Sequence, residues 1–137
     1  MSKVAAILLA LVAGAAQADT LGLHVASWHS TPGYNNVNPG AYWRSDDGLT
    51  VGAYCNSQSR SPRFPDAPRC SLARYIGLTT DLGPVSITAG MIGGYQIGTV
   101  PMLVPSLKLG GLRLAFLPKL DPKSGTYVVH AMWETEL

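Results

Sequence analysis

Two groups of residues in this chain could do acyl chemistry together. The first is the stretch from His24 to Gly40, HVASWHSTPGYNNVNPG, where two histidines and three asparagines crowd among glycine and proline breakers. The second is the pair Asn56-Ser57, one segment further along. An imidazole beside a serine hydroxyl is the smallest pair able to run general-base or nucleophilic acyl transfer, because imidazole accepts the hydroxyl proton near neutral pH. His29 is the candidate base and Ser57 the candidate hydroxyl, with Asn56 beside it. The pairing is weak on its own, since any fold with His24, His29, His130 and many serines offers several, so the elements that would unite these residues decide its worth.

Residues 1–18 are set aside before a fold is argued. Lys3, the apolar run from Val4 to Ala15 and Ala16-Gln17-Ala18 before Asp19 have the charged, apolar and small-residue zones of a secretory signal peptide. About a dozen apolar residues are too few for a helix crossing about 30 Å of hydrocarbon, so export is expected and not anchoring. Beyond Asp19, Arg, Asp, Gly or Pro interrupts every run that could approach the roughly eighteen apolar residues of a membrane helix. Any span must therefore be made of strands.

Net charge is +2 with the basic residues scattered, which provides no electrostatic footprint for nucleic acid. The 15 glycines and 10 prolines in a chain with 13% charged residues fit many short strands and turns. In an exported protein the only two cysteines, Cys55 and Cys70, read as one disulfide closing the loop 56–69. They lack the clustered His and Cys spacing of a zinc site, and no metal is expected.

Breakers divide the rest into eight apolar, mostly alternating segments, at about 20–28, 40–46, 49–57, 71–80, 84–94, 102–108, 111–117 and 126–137. Eight is the smallest usual strand number of an outer-membrane barrel, and these lengths approach the nine to eleven or so residues of a tilted span. The connections 45–48, 80–83 and 110–111 are short, whereas 29–39, 58–70, 95–101 and 118–125 are longer. Turns at one end and loops at the other complete the pattern. The expected fold is all-β, an eight-stranded antiparallel up-and-down barrel over 19–137, behind a cleaved signal peptide.

Alternation assigns the faces, since a period of two sends one row to lipid and the other to the lumen. Leu49, Val51, Ala53 and Cys55 oppose Thr50, Tyr54 and Asn56. Val85, Ile87, Ala89 and Met91 oppose Ser86, Thr88 and Gly90. Leu112, Leu114 and Phe116 oppose Arg113 and Ala115, and Val129, Ala131, Trp133, Thr135 and Leu137 oppose His130, Met132, Glu134 and Glu136. The last strand is similar to the C-terminal assembly signal of bacterial outer-membrane proteins, which most often closes on an aromatic residue where this one closes on Leu137. A soluble exported barrel is the competing architecture, and its interior would be apolar.

With both termini on the periplasmic side the first strand runs outward, so the loops 29–39 and 58–70 lie outside. That topology brings His29 to Asn56, Ser57 and both cysteines. His24 and His130 fall in the lumen row, as hydrogen-bonded interior residues or catalytic partners. Asn35, Asn36 and Asn38 before Pro39-Gly40 shape a turn or offer amides to lipid phosphate or sugar. Arg60, Arg63 and Arg69 pair with anionic head groups or keep the loop solvated.

Several pieces then point to a family. Ser27-Trp28-His29 precedes Tyr34-Asn35, and Gly52-Ala53-Tyr54 leads to Asn56-Ser57. Further on stand Gly83-Pro84-Val85-Ser86-Ile87-Thr88-Ala89-Gly90, Pro101-Met102-Leu103-Val104-Pro105 and Leu114-Ala115-Phe116-Leu117-Pro118. In order and approximate spacing the chain resembles a shortened member of the PagP-like lipid A palmitoyltransferases. The resemblance implies an outer-membrane enzyme, acting as a monomer without cofactor, that moves a fatty acyl chain from phospholipid to lipid A. It implies His29 and Ser57 as essential catalytic residues and Tyr54, Gly77, Gly90, Pro105 and Pro118 as substrate-binding.

In that family prolines open a lateral portal and glycines leave room for an acyl chain. Pro105 alternatively marks a bulge, and the glycines alternatively relieve crowding in a small barrel. Asn56 stands where the family has aspartate, and an amide can only hydrogen-bond and orient the imidazole. The amphipathic helix that precedes the family's barrel is missing. The alternative function is a non-enzymatic surface barrel acting in binding or protection.

Overall fold

A strand whose residues alternate between apolar and polar needs two different surroundings, one on each face. A sheet closed on itself supplies both and leaves no unpaired edge. The computed structural model of the chain describes residues 18–119 and 125–137, so the expected signal peptide and part of the 118–125 connection lie outside the described residues. Eight strands form: β1 Thr20–His29, β2 Val37–Arg44, β3 Leu49–Cys55, β4 Leu72–Leu82, β5 Val85–Tyr95, β6 Gly98–Leu109, β7 Leu112–Leu117 and β8 Val128–Glu136. Each pairs antiparallel with the next, and β8 returns to β1 to close the barrel. The all-β eight-stranded up-and-down barrel expected from the sequence is the observed fold.

The rows fall as the alternation predicts. Leu23, Ile76, Leu78, Leu103 and Trp133 are exposed on the outer wall, whereas His24, Arg44, Arg113, His130 and Glu134 are buried within. This is the reverse of a soluble barrel. At one end, here the turn end, connections are tight. In the 45–48 turn the Ser45 hydroxyl donates to the Asp47 carboxylate and holds that carboxyl below its ordinary range.

Three boundaries differ from expectation. β2 begins at Val37, so Asn38 and Pro39 belong to a strand. The β1 register slips between His24 and Ala26 just opposite, and a bulge tolerates the missing proline N–H. β6 begins at Gly98 and contains Pro101, so the longer 95–101 loop is in fact a two-residue turn at Gln96-Ile97. Gly94 (φ 95°) and Gly98 (φ 85°) take the left-handed backbone that so sharp a reversal requires. β3 stops at Cys55, which moves Asn56 and Ser57 into the loop.

The interior is layered. Toward the turn end, Arg113 Nε donates to Glu134 Oε1 at 2.6 Å, and its Nη1 donates to Ser86 Oγ and Ser106 Oγ at 2.7 and 2.8 Å. The Tyr42 hydroxyl donates to the same Glu134 oxygen, and Arg44 pairs with Asp81 at 3.4 Å. Above this layer sit His24, Tyr54, Tyr75 and His130, packed ring against ring.

Candidate functional site

At the loop end, backbone and side chains join the two groups picked out by sequence. The Asn35 N–H donates to the Ser57 carbonyl at 2.9 Å, and the Ser61 hydroxyl donates to the Gly33 carbonyl. A disulfide between Cys55 and Cys70 closes the second loop at its base. The convergence of the stretches around His29 and Ser57 is therefore real.

Within it the side chains are arranged differently from expectation. His29 is buried, and its Nδ1 lies 2.8 Å from Asn36 Oδ1, within hydrogen-bond distance. Its ring lies flat on Tyr34, with centroids 4.9 Å apart and planes 10° from parallel, and the Arg63 guanidinium lies 5.2 Å over the Tyr34 ring. The other nitrogen, Nε2, is shut from solvent and has no hydrogen-bond partner in this structure. Ser57 lines a cavity of about 140 Å³ with Tyr34, Phe64, Tyr95, Leu117 and Pro118. Tyr34 is thus the link between the two candidates, stacking on His29 and bordering the cavity of Ser57.

Asn56 was expected to hold the imidazole, and the geometry corrects this. Its amide nitrogen donates to the Gly94 carbonyl at 2.9 Å and to Ser71 Oγ at 3.4 Å, and its oxygen accepts from the Gln58 N–H at 3.0 Å. Wholly buried, it ties the end of β3 to the β5–β6 turn, and Asn36 takes the place at His29. Of the other asparagines, Asn35 caps the turn by accepting from the Val37 N–H, while Asn38 is buried between Ser27 and the Cys55 carbonyl.

The β6–β7 ladder runs from Leu109↔Leu112 to Ser106↔Ala115 and stops. Pro105 is the next residue of β6, so the ladder ends where a donor is missing. Beyond that point β6 pairs only with β5, and a cavity of about 310 Å³ opens between Met102, Leu103 and Val104 on one side and Leu117 and Pro118 on the other. Leu117 also borders the loop-end cavity and a third, of about 70 Å³, that reaches into the lumen beside His24, Tyr75 and His130. One side chain therefore walls the side opening, the mouth and the lumen.

Tyr54 is buried, its hydroxyl 2.6 Å from that of Tyr95 at the floor of the mouth. Gly77 and Gly90 face each other across β4 and β5, and a Cβ on Gly77 would stand 2.6 Å from the Ala89 carbonyl. A side chain at either position would meet the backbone of the neighbouring strand. Sequence reading missed the pairing of His24 Nδ1 with His130 Nε2 at 2.8 Å and of His24 Nε2 with Tyr75 at 2.9 Å. The lumen register of both histidines was the available signal, and closure of β8 on β1 was the missing step. Among the described residues no group of three or more His, Cys, Asp or Glu could hold a metal ion.

No protein-family model matches the chain, and no curated protein matches it in sequence. Its class is the one its geometry defines: a closed eight-stranded barrel, with charged and aromatic side chains within and a mostly apolar wall without, a gap in one ladder and a cavity at its looped end.

Proposed function

We propose that this chain is an outer-membrane barrel that takes a phospholipid at the β6–β7 gap and transfers an acyl chain to lipid A, in the manner of the PagP-like enzymes it resembles. The outer wall supports the membrane setting. An Arg or Lys facing mid-bilayer lipid costs about 2–4 kcal/mol; Arg44 and Arg113 are buried in the lumen, and the exposed Arg74 stands at the looped end of β4, away from the middle of the wall. Ten-residue β1, at about 3.3 Å per residue and a tilt near 40°, rises about 25 Å, the height of an outer-membrane apolar band. Trp28, Phe116 and Tyr127 toward the looped end, and Trp43 and Trp133 toward the turn end, suit the aromatic girdles of such a band.

The observation that carries the acyl-transfer reading is the interrupted ladder. Its cavity is lined by apolar side chains and shares Leu117 and Pro118 with the cavity of Ser57. A lipid in the outer leaflet could lay its acyl chain between β6 and β7 with its ester near the mouth. His29 serves as general base toward the acceptor hydroxyl, and Ser57 polarises the donor carbonyl or orients the acceptor. The acyl carbon exchanges its bond to the donor's glycerol oxygen for one to the acceptor's hydroxyl oxygen, and the imidazolium returns the proton to the departing lysophospholipid, so no redox step and no cofactor is needed.

A second reading is a non-enzymatic surface barrel whose loops bind or protect. The engagement of Asn56 with Gly94, Ser71 and Gln58, and the Tyr34 ring between His29 and the cavity, favour it. Heat-modifiable migration of the membrane fraction tests the setting, and the mass of lipid A from expressing cells tests the chemistry. Absence from the membrane fraction would return the chain to a soluble role.

A further inference from the structure

We propose that Asn36 is the positioning residue that fixes the tautomer of His29; its catalytic meaning rests on the acyl-transfer reading above. A neutral imidazole has one N–H and one lone pair, and the hydrogen bond made by one nitrogen decides which nitrogen carries the proton. Asn36 Oδ1 can only accept, so at 2.8 Å it draws the proton to His29 Nδ1 and leaves the lone pair on Nε2. Tyr34, parallel to the ring at 4.9 Å, fixes the plane in which the imidazole lies. Nε2 is the nitrogen that is buried without a partner. A buried acceptor left unpaired is costly, and catalytic sites are one place where such a cost is kept. The arrangement keeps the lone pair on Nε2, where a general base needs it once the loop admits an acceptor hydroxyl. Asn36 thus performs, as an amide, the orienting half of what a carboxylate does in a triad, and it does so from the loop after β1.

The test is the tautomer itself. Protein labelled with 15N in its histidines, folded in detergent micelles, gives separate ring-nitrogen signals, and those of His29 are identified by their loss in His29→Gln. The native chain and Asn36→Asp, whose carboxylate also accepts, should carry the proton on Nδ1. Asn36→Leu should move it to Nε2. Asn36 is exposed, so the Leu variant should still fold, with heat-modifiable migration as the control. In expressing cells, lipid A acylation should drop about tenfold or more in Asn36→Leu and persist in Asn36→Asp. A native His29 protonated on Nε2, or an Asn36→Leu chain with an unchanged tautomer, overturns the proposal. A native chain that adds no acyl group sinks the acyl-transfer reading, while the tautomer still decides whether Asn36 governs the ring.

Discussion

His24 Nδ1 and His130 Nε2 lie 2.8 Å apart inside the barrel, so β1 and β8, the strands that close it, are joined by side chains as well as by their ladder. The Tyr75 hydroxyl, 2.9 Å from His24 Nε2, extends the link to the opposite wall. With one N–H per neutral imidazole, the three groups can be satisfied only as a chain running in one direction.

Cutting that chain should cost more than the bond it removes. His24→Leu strands a buried His130 nitrogen and the Tyr75 hydroxyl, each worth about 1–3 kcal/mol when unpaired. Urea titration of the folded barrel in liposomes should show His24→Leu and His130→Leu each destabilised, and the double variant less so than their sum. Strictly additive values would mean the two rings do not depend on each other.

Arg113 and Glu134 make a parallel case with charges. Glu134→Leu leaves a buried guanidinium facing Ser86 and Ser106 alone, and losing one partner of a buried pair costs about 3–5 kcal/mol. Arg113→Met together with Glu134→Leu should recover most of the loss in the same titration. A double variant no better than Glu134→Leu would show that the loss comes from Tyr42 and Lys108, which also lose Glu134 as a partner, and not from the unpaired guanidinium.

The barrel was legible in the sequence because its rows are a local property. Each segment states its own alternation, and Val85, Ile87 and Ala89 against Ser86 and Thr88 need no neighbour to be read. Proline is different: it breaks a ladder only where its N–H would have been paired, and that depends on the adjacent strand. Pro39 and Pro101 were therefore read as loop residues, yet they sit in strands beside a bulge and a gap. The site was half legible for the same reason. Topology alone brought the segments that carry His29 and Ser57 together at one end of the barrel. Which of two asparagines meets the imidazole is a matter of side-chain direction at a loop, and Asn36, within a run read mainly as a turn, showed no sign of it.

Leu117, which walls all three cavities, should separate passage from folding. Leu117→Trp adds bulk at a half-buried site bordering open space, so the heat-modifiable form should survive. Acylation of lipid A should fall by about an order of magnitude or more, as expected when a productive pose is displaced by about 1 Å. Unchanged acylation would mean that lipid does not pass between β6 and β7.

The disulfide should matter to stability more than to the barrel itself. Cys55 and Cys70 are 15 residues apart, and closing a loop of that length is worth about 3 kcal/mol. Replacing both by Ser should lower the thermal midpoint and expose the loop 56–69 to protease while the strands persist. Equal protease resistance would show that Asn56, Ser59 and Ser61 hold the loop unaided.

The central claim is that His29 at the looped end serves acyl transfer to lipid A. Mass spectrometry of lipid A, from bacterial cells expressing the native chain beside cells expressing His29→Ala, tests it most directly. The native chain should add the mass of one fatty acyl group, and His29→Ala should add none while still migrating as a folded barrel. Lipid A of one and the same mass with and without the native chain, in every outer-membrane background tried, would contradict it.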